Sequence, residues 1–304
     1  MRASVCFQTL FVLILLLCAC TAQAQRDAAE EALYRAEALR RLPPNAARRL
    51  FFLPAAPAKL PAQAIGAYGK GCVAGAQRLE ADGPGWQVMR PSRGRAYGHP
   101  NLVAWIHQFA AGLQRDGAPG LLVGDMAQPR GGPMLTGHDS HQLGLEADLW
   151  LTPAPPGRRL TPEERDEMDA TDMVRPDLLD VNPAFTAVQL ELLRRAASTP
   201  EVDRIFVNPA IKQAACRQAA GERAWLRKLR PWQGHTFHFH VALKCPNAGC
   251  ASRFPVPPGE GCGKELEPWF RKEVRFPKPK PPRPPRILTM NDLPSACRSV
   301  LAAP

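Results

Sequence analysis

The sequence predicts an α+β fold: a small, mostly antiparallel sheet with helices packed around it, long loops and disulfide stabilisation. Three observations carry this expectation. Helical and strand-like stretches are mixed without the alternation that builds a parallel sheet. The segments richest in histidine read as short strands and hairpin-like turns, not helices. Finally, 33 prolines and nine cysteines in 304 residues favour stiff loops and covalent staples. There is no internal repeat, and the length fits one large domain or two small ones.

In chain order, the first segment predicts export. Arg2 supplies a positive start, Leu10–Leu17 an apolar core too short to span a bilayer, and Ala22-Gln23-Ala24 a small-residue cleavage signal. Residues 1–24 therefore read as a signal peptide. Leu17-Cys18-Ala19-Cys20 admits a second reading, a lipobox ending in a lipidated Cys20. Residues 25–60 read as an N-terminal helical segment and linker, the helix broken by Pro43-Pro44 and followed by a loop from Pro54 to Pro61. Residues 61–276 form the main domain. Asn101–Arg115 carries apolar residues at helical spacing and stops at Gly117, and Leu121–Val123 reads as a buried strand. Pro129–Gly137 is a Gly/Pro loop, and Leu145–Leu151 begins the next strand.

Thr152–Asp180 is polar and proline-bearing, an expected surface excursion. Asn182-Pro183 is expected to open a helix through Arg195, and Asn208-Pro209 another, with Asn as cap and Pro at the first position. Val202–Val207 and Phe237–Leu243 read as strands, and Arg223–Leu229 as a helical turn or two. Residues 277–304 form a Pro-rich basic tail, with Pro277–Pro285 extended and polyproline-like. No segment after the leader is apolar for long enough to cross a membrane.

Cysteine usage agrees with export. Cys6, Cys18 and Cys20 lie in the leader, leaving Cys72, Cys216, Cys245, Cys250, Cys262 and Cys297. An even set in an exported chain points to three disulfides, in any of fifteen pairings. None of the six sits in a C-x-x-C pair, which argues against a thiolate metal site. The formal charge of +11 favours anionic surfaces such as cell-wall polymer or lipid head groups. Nucleic acid is set aside, because export removes the opportunity and no recognition motif is present.

Five of the seven histidines fall in two clusters: His138 and His141, then His235, His238 and His240. On a strand, His238 and His240 share one face, while Phe237, Phe239 and Val241 are expected to point into the core. That places one imidazole to grip a metal and its neighbour to reach the water or substrate beside it. His141 and Asp148, from a loop and the strand after it, supply the remaining ligands. Two imidazoles and a carboxylate make a three-ligand zinc pattern with a position open for water, whose pKa the ion lowers toward about 7. His99 and His107 read as structural.

His141, then Asp148 seven residues on, then the distant His238-Phe239-His240 resemble the lysostaphin/D-Ala-D-Ala peptidase/hedgehog group of zinc proteins. Within it the chain is most similar to the penicillin-insensitive murein endopeptidases. The segments carrying this likeness are Ala64–Gln77, Trp86–Arg90, Val123–Met126, Gly137–Gln142, Arg204–Gln213 and Trp225–Trp232. The resemblance implies one Zn2+ held by His141, Asp148 and His240. It implies His238 as general base, with His138 and His235 positioning substrate or stabilising the oxyanion. It also implies disulfides Cys72–Cys297, Cys216–Cys262 and Cys245–Cys250, the first tethering the tail to the main domain. The implied activity is hydrolysis of D-Ala–meso-diaminopimelate cross-links in periplasmic peptidoglycan. A D,D- or L,D-carboxypeptidase and a non-catalytic, zinc-containing wall-binding protein stand as alternatives. Some family members carry a further Asp and His between the two motifs; this chain has no histidine between His141 and His235, so no second metal is implied.

Overall fold

The computed structural model describes residues 32–252, 255–279 and 286–304. The signal peptide, the Cys20 lipobox and most of the Pro277–Pro285 stretch lie outside the described residues. The chain begins with a helix over residues 32–41 (α1), then α2 (Ala47–Phe52) and the hairpin β1 (Gln63–Ala67) and β2 (Lys70–Ala74). Four short strands follow: β3 (Gln77–Arg78), β4 (Asp82–Gly83), β5 (Trp86–Val88) and β6 (Tyr97–Gly98). Next come α3 (Pro100–Arg115), β7 (Leu121–Val123), β8 (Glu146–Trp150), α4 (Pro162–Glu167), α5 (Ala187–Ser198), β9 (Val202–Val207) and α6 (Pro209–Gln218). The remaining elements are β10 (Leu229–Pro231), β11 (His238–Leu243), β12 (Cys250–Ala251), α7 (Lys272–Arg275) and α8 (Ala296–Ala302).

A seven-stranded sheet of order β10-β9-β11-β8-β7-β5-β4 forms the centre. Strands β9, β11, β8 and β7 are successively antiparallel, while parallel pairings join β10 to β9 and β5 to β7. The sheet and the buried stripe of α3 (Leu102, Val103, Trp105, Ile106, Phe109, Ala110 and Leu113) share one core with α5 and α6. At roughly 25 cal/mol per Å2 of apolar surface, burial of this stripe is a main stabilising term. His99 caps α3, its Nδ1 accepting from the Asn101 N–H at 3.2 Å, and His107 stacks on Trp86 with ring centroids 4.6 Å apart. Both serve structure.

A second core joins the two ends of the chain. Ala47 and Phe51 of α2 pack with Ile65, Cys72 and Ala74 of the β1–β2 hairpin and with Met290, Leu293, Cys297 and Val300. Buried Arg130 donates to the carbonyls of Val300, Leu301 and Ala303 at 2.8–2.9 Å, capping the C-terminal helix. The three disulfides pair Cys72 with Cys297, Cys216 with Cys262 and Cys245 with Cys250, as the resemblance implied. Cys72–Cys297 spans 225 residues, so its loss releases a very long loop in the unfolded chain. Cys297→Ala is expected to lower stability by about 2–5 kcal/mol, measured as a shifted denaturant midpoint under non-reducing conditions.

Three local expectations are revised. Helix α5 starts at Ala187, not at Asn182-Pro183. Thr186 and Gln189 make a reciprocal capping box there, whereas Asn182 closes a turn by accepting from the Ala184 N–H at 2.8 Å. Phe237 does not point into the core. It precedes β11 and is 37% exposed, while Phe239 and Val241 are fully buried as expected. The Thr152–Asp180 excursion lies only partly on the surface, because it contains α4 and buries Leu160, Met173 and Val174.

Candidate metal centre

Strand pairing brings the two histidine clusters together. In the β8–β11 register, His240 lies opposite Asp148 and His238 opposite Trp150; on the other side of β11, His240 lies opposite Phe206. With a period of two, Glu146, Asp148 and Trp150 share a face with His238 and His240. Phe239, Val241, Ala147 and Leu149 fill the other face. Gly124 lets the chain after β7 come close. Its N–H donates to the Asp148 carbonyl at 2.7 Å, and a Cβ there would sit 2.9 Å from the Trp150 indole nitrogen. Asp125 follows, and its carbonyl accepts from the Asp148 N–H at 2.9 Å.

His138, His141 and Asp148 offer ligand atoms that all lie within 4.8 Å of one another, so this group can hold a metal ion. His141 Nε2 is 3.4 Å from Asp148 Oδ1, and His138 Nε2 is 3.5 Å from Asp148 Oδ2. His240 converges on the same carboxylate, with Nδ1 3.0 Å from Asp148 Oδ1. Its Nε2 lies 2.9 Å from Glu146 Oε1, and Glu146 Oε2 accepts from the His141 N–H at 2.6 Å. His238 Nε2 is 3.7 Å from Asp148 Oδ1, and its ring lies 4.8 Å from that of His235. The structure thus gathers His138, His141, His238 and His240 on the Asp148 carboxylate, with His235 at the edge.

The donor set suits a divalent cation. Both nitrogens of His141 are buried without a hydrogen-bond partner among the described residues, although an unpaired buried polar atom costs about 1–3 kcal/mol. Burial keeps the His141 imidazole below the usual histidine pKa, so a lone pair is available to an ion. Asp148 is also buried, which opposes its charge, but His141 and His238 outweigh this and hold its carboxyl well below the usual range. Burial likewise opposes a charge on His240, yet Glu146 and Asp148 raise its pKa to about 10. In this state each ring nitrogen of His240 faces a carboxylate.

Two acids that sequence reasoning left without a role complete the site. Asp125 is buried and accepts from Arg95 Nη1 at 2.9 Å and Arg93 Nη1 at 3.1 Å; its Oδ2 also lies 3.0 Å from His138 Nε2. Burial works against its charge, but His138, Arg95 and Arg93 hold its pKa below the usual carboxylate range. Glu146 Oε1 lies 2.9 Å from His240 Nε2 and fixes the orientation of that ring. The available signal was an acid inside an apolar run, in LLVGDMA and LGLEADLW, which demands a buried partner.

A buried histidine–carboxylate cluster on an antiparallel sheet, able to hold a metal ion, opens into a cavity of about 490 Å3 lined by residues that include His138, Asp148 and His238. The sequence profile of penicillin-insensitive murein endopeptidases matches residues 64–302. A penicillin-insensitive murein endopeptidase of Haemophilus influenzae is 43% identical over 238 residues, covering 73% of this chain and 80% of that protein. Proteins of the same name from Klebsiella pneumoniae (43% over 244 residues, 79% and 86%) and Yersinia enterocolitica (42% over 242 residues, 79% and 85%) are similarly close. The chain belongs to the penicillin-insensitive murein endopeptidase family, and it is an enzyme of the peptidase class. Among the described residues no helix is long and apolar enough to cross a membrane.

Proposed function

We propose that this enzyme is a zinc-dependent endopeptidase that hydrolyses D-Ala–meso-diaminopimelate cross-links in periplasmic peptidoglycan, with one Zn2+ per chain. His141, Asp148 and His240 would hold the ion. The observation that carries this reading is the fully buried, unpartnered His141 ring beside the Asp148 carboxylate that His240 also contacts. His138, whose Nε2 lies 3.0 Å from Asp125 Oδ2 and 3.5 Å from Asp148 Oδ2, lines the cavity, and we assign it to position substrate there. Bound zinc would acidify water and polarise the scissile carbonyl.

The chain's own residues supply the proton transfers and the orientation. His238, neutral because burial lowers its pKa, would take a proton from the attacking water at a ring nitrogen and return it to the leaving amine. His235 Nδ1 donates to the Gln233 carbonyl at 2.9 Å, and burial lowers the pKa of this ring to about 4. Its Nε2 is then an acceptor, fitted to position a substrate N–H. No side chain forms an acyl-enzyme in this scheme, so β-lactams, which acylate a serine, have no target. The basic charge and three disulfides support an exported protein acting on an anionic wall polymer.

The test is to incubate the mature protein with cross-linked muropeptide dimers and follow monomers by mass spectrometry. EDTA should stop the reaction and added Zn2+ should restore it. Trimmed stems without dimer cleavage would point to a carboxypeptidase. Cleavage that persists after complete metal removal would end the metal-dependent reading.

A further inference from the structure

Among the described residues four non-glycine positions have left-handed backbone: Arg90 (φ 55°), His141 (62°), Leu178 (56°) and His235 (51°). Such conformations are unfavourable and cluster at functional sites, where the surroundings impose them. Two of the four are the site histidines already described. Arg90 lines the same 490 Å3 cavity as His138, Asp148 and His238.

Arg90 is held in place from several sides. Its N–H donates to the Arg165 carbonyl at 3.0 Å, Nη1 donates to the Asp166 carbonyl, and its guanidinium lies 5.6 Å from the centroid of the Trp150 ring. Trp150 is two residues beyond Asp148 on the same face of β8, about 7 Å along the strand. Of the two guanidiniums in the lining, Arg93 is bound to Asp125 at 3.1 Å. Arg90 has a carboxylate, exposed Asp169, only at 3.9 Å, beyond hydrogen-bonding distance. The lining sets Arg90 and Arg93 against Asp125, Asp148, Asp169 and Asp172. A divalent ion on Asp148 would bring that charge to balance, so an entering carboxylate would not meet a net negative cavity.

We propose that Arg90 is a specificity-determining residue whose guanidinium pairs with a substrate carboxylate on the amine side of the scissile amide. The inference rests on the proposed function. In that cross-link the amide nitrogen belongs to a diamino diacid, so the carbon bearing the nitrogen also bears a carboxylate. A planar fork laid against an aromatic face fits such a group in two parallel hydrogen bonds, which a lysine ammonium does not reproduce.

The experiment uses the zinc-loaded mature enzyme and two muropeptide dimers, one with that carboxylate free and one with it converted to the carboxamide. The wild type should prefer the free acid roughly 10- to 100-fold in kcat/KM. Arg90→Gln should lose that preference by failing on the free acid, mainly through KM, and Arg90→Lys should recover part of it. Arg90→Gly keeps the experiment decisive if the glutamine variant folds poorly, since glycine adopts this backbone without penalty. It too should bind zinc and lose the preference. A folded, zinc-loaded Arg90→Gly or Arg90→Gln enzyme that keeps the wild-type ratio overturns the inference while leaving the endopeptidase reading intact. Failure of the wild type to cleave either dimer overturns both.

Discussion

Replacing His141 with alanine is expected to strip the metal from the protein and to reduce dimer cleavage by at least roughly 10^3-fold, to the level of the metal-free wild type. The His141 ring is fully buried, and neither nitrogen has a hydrogen-bond partner among the described residues. Its backbone is in the left-handed region and its N–H is bonded to Glu146. Each feature weakens or constrains the metal-free protein, and together they make sense if a lone pair is being presented to an ion. Removing the imidazole should cost the metal-free form some stability, because it leaves a cavity and takes a partner from the buried Asp148. It should abolish the rise in melting temperature that Zn2+ gives the wild type, since a ligand stabilises only the state that binds it. His240→Ala should behave in the same way, whereas His138→Ala should retain zinc. One equivalent of zinc and an undiminished thermal shift in the His141 variant would refute the ligand assignment.

Some of this was legible in the sequence because it depends on local periodicity. The alternation of His238 and His240 with Phe239 and Val241 fixes one wet and one dry face of a strand wherever that strand lies. Apolar spacing likewise marked α3, and Asn208-Pro209 marked the start of α6. What was not legible depends on pairing between distant segments. Asp148 and His240 are 92 residues apart, and nothing local dictates that they stand opposite each other in the β8–β11 ladder. The role of Glu146 follows from that register alone: two residues before Asp148, it shares the face onto which His240 Nε2 opens. Asp125 gains its role only because Gly124 allows β7 to continue alongside Asp148 and Trp150. Phe237 departs from the alternation for a related reason: the strand begins one residue later, at His238, and the Phe237 ring lines the cavity.

His238→Ala should separate chemistry from metal binding: zinc content stays at one per chain while kcat falls roughly 10^2- to 10^4-fold, the usual contribution of a positioned general base. His238 is in the same strand and on the same face as His240, yet it meets the carboxylate cluster differently. Its Nε2 stands 3.7 Å from Asp148 Oδ1, compared with 3.0 Å for His240 Nδ1, and the side chain keeps 13% of its surface exposed, where His240 keeps 5%. It also lines the cavity, as His240 does not. Burial disfavours its charged form, so the ring is neutral and able to accept a proton near neutral pH. A base of this kind gains its proton during turnover and gives it up to the departing amine. Its removal should therefore lower kcat much more than it raises KM, and added small imidazole should restore part of the rate if the vacated volume admits it. Loss of zinc together with activity would reassign His238 as a ligand, and full activity with zinc retained would require another residue to be the base.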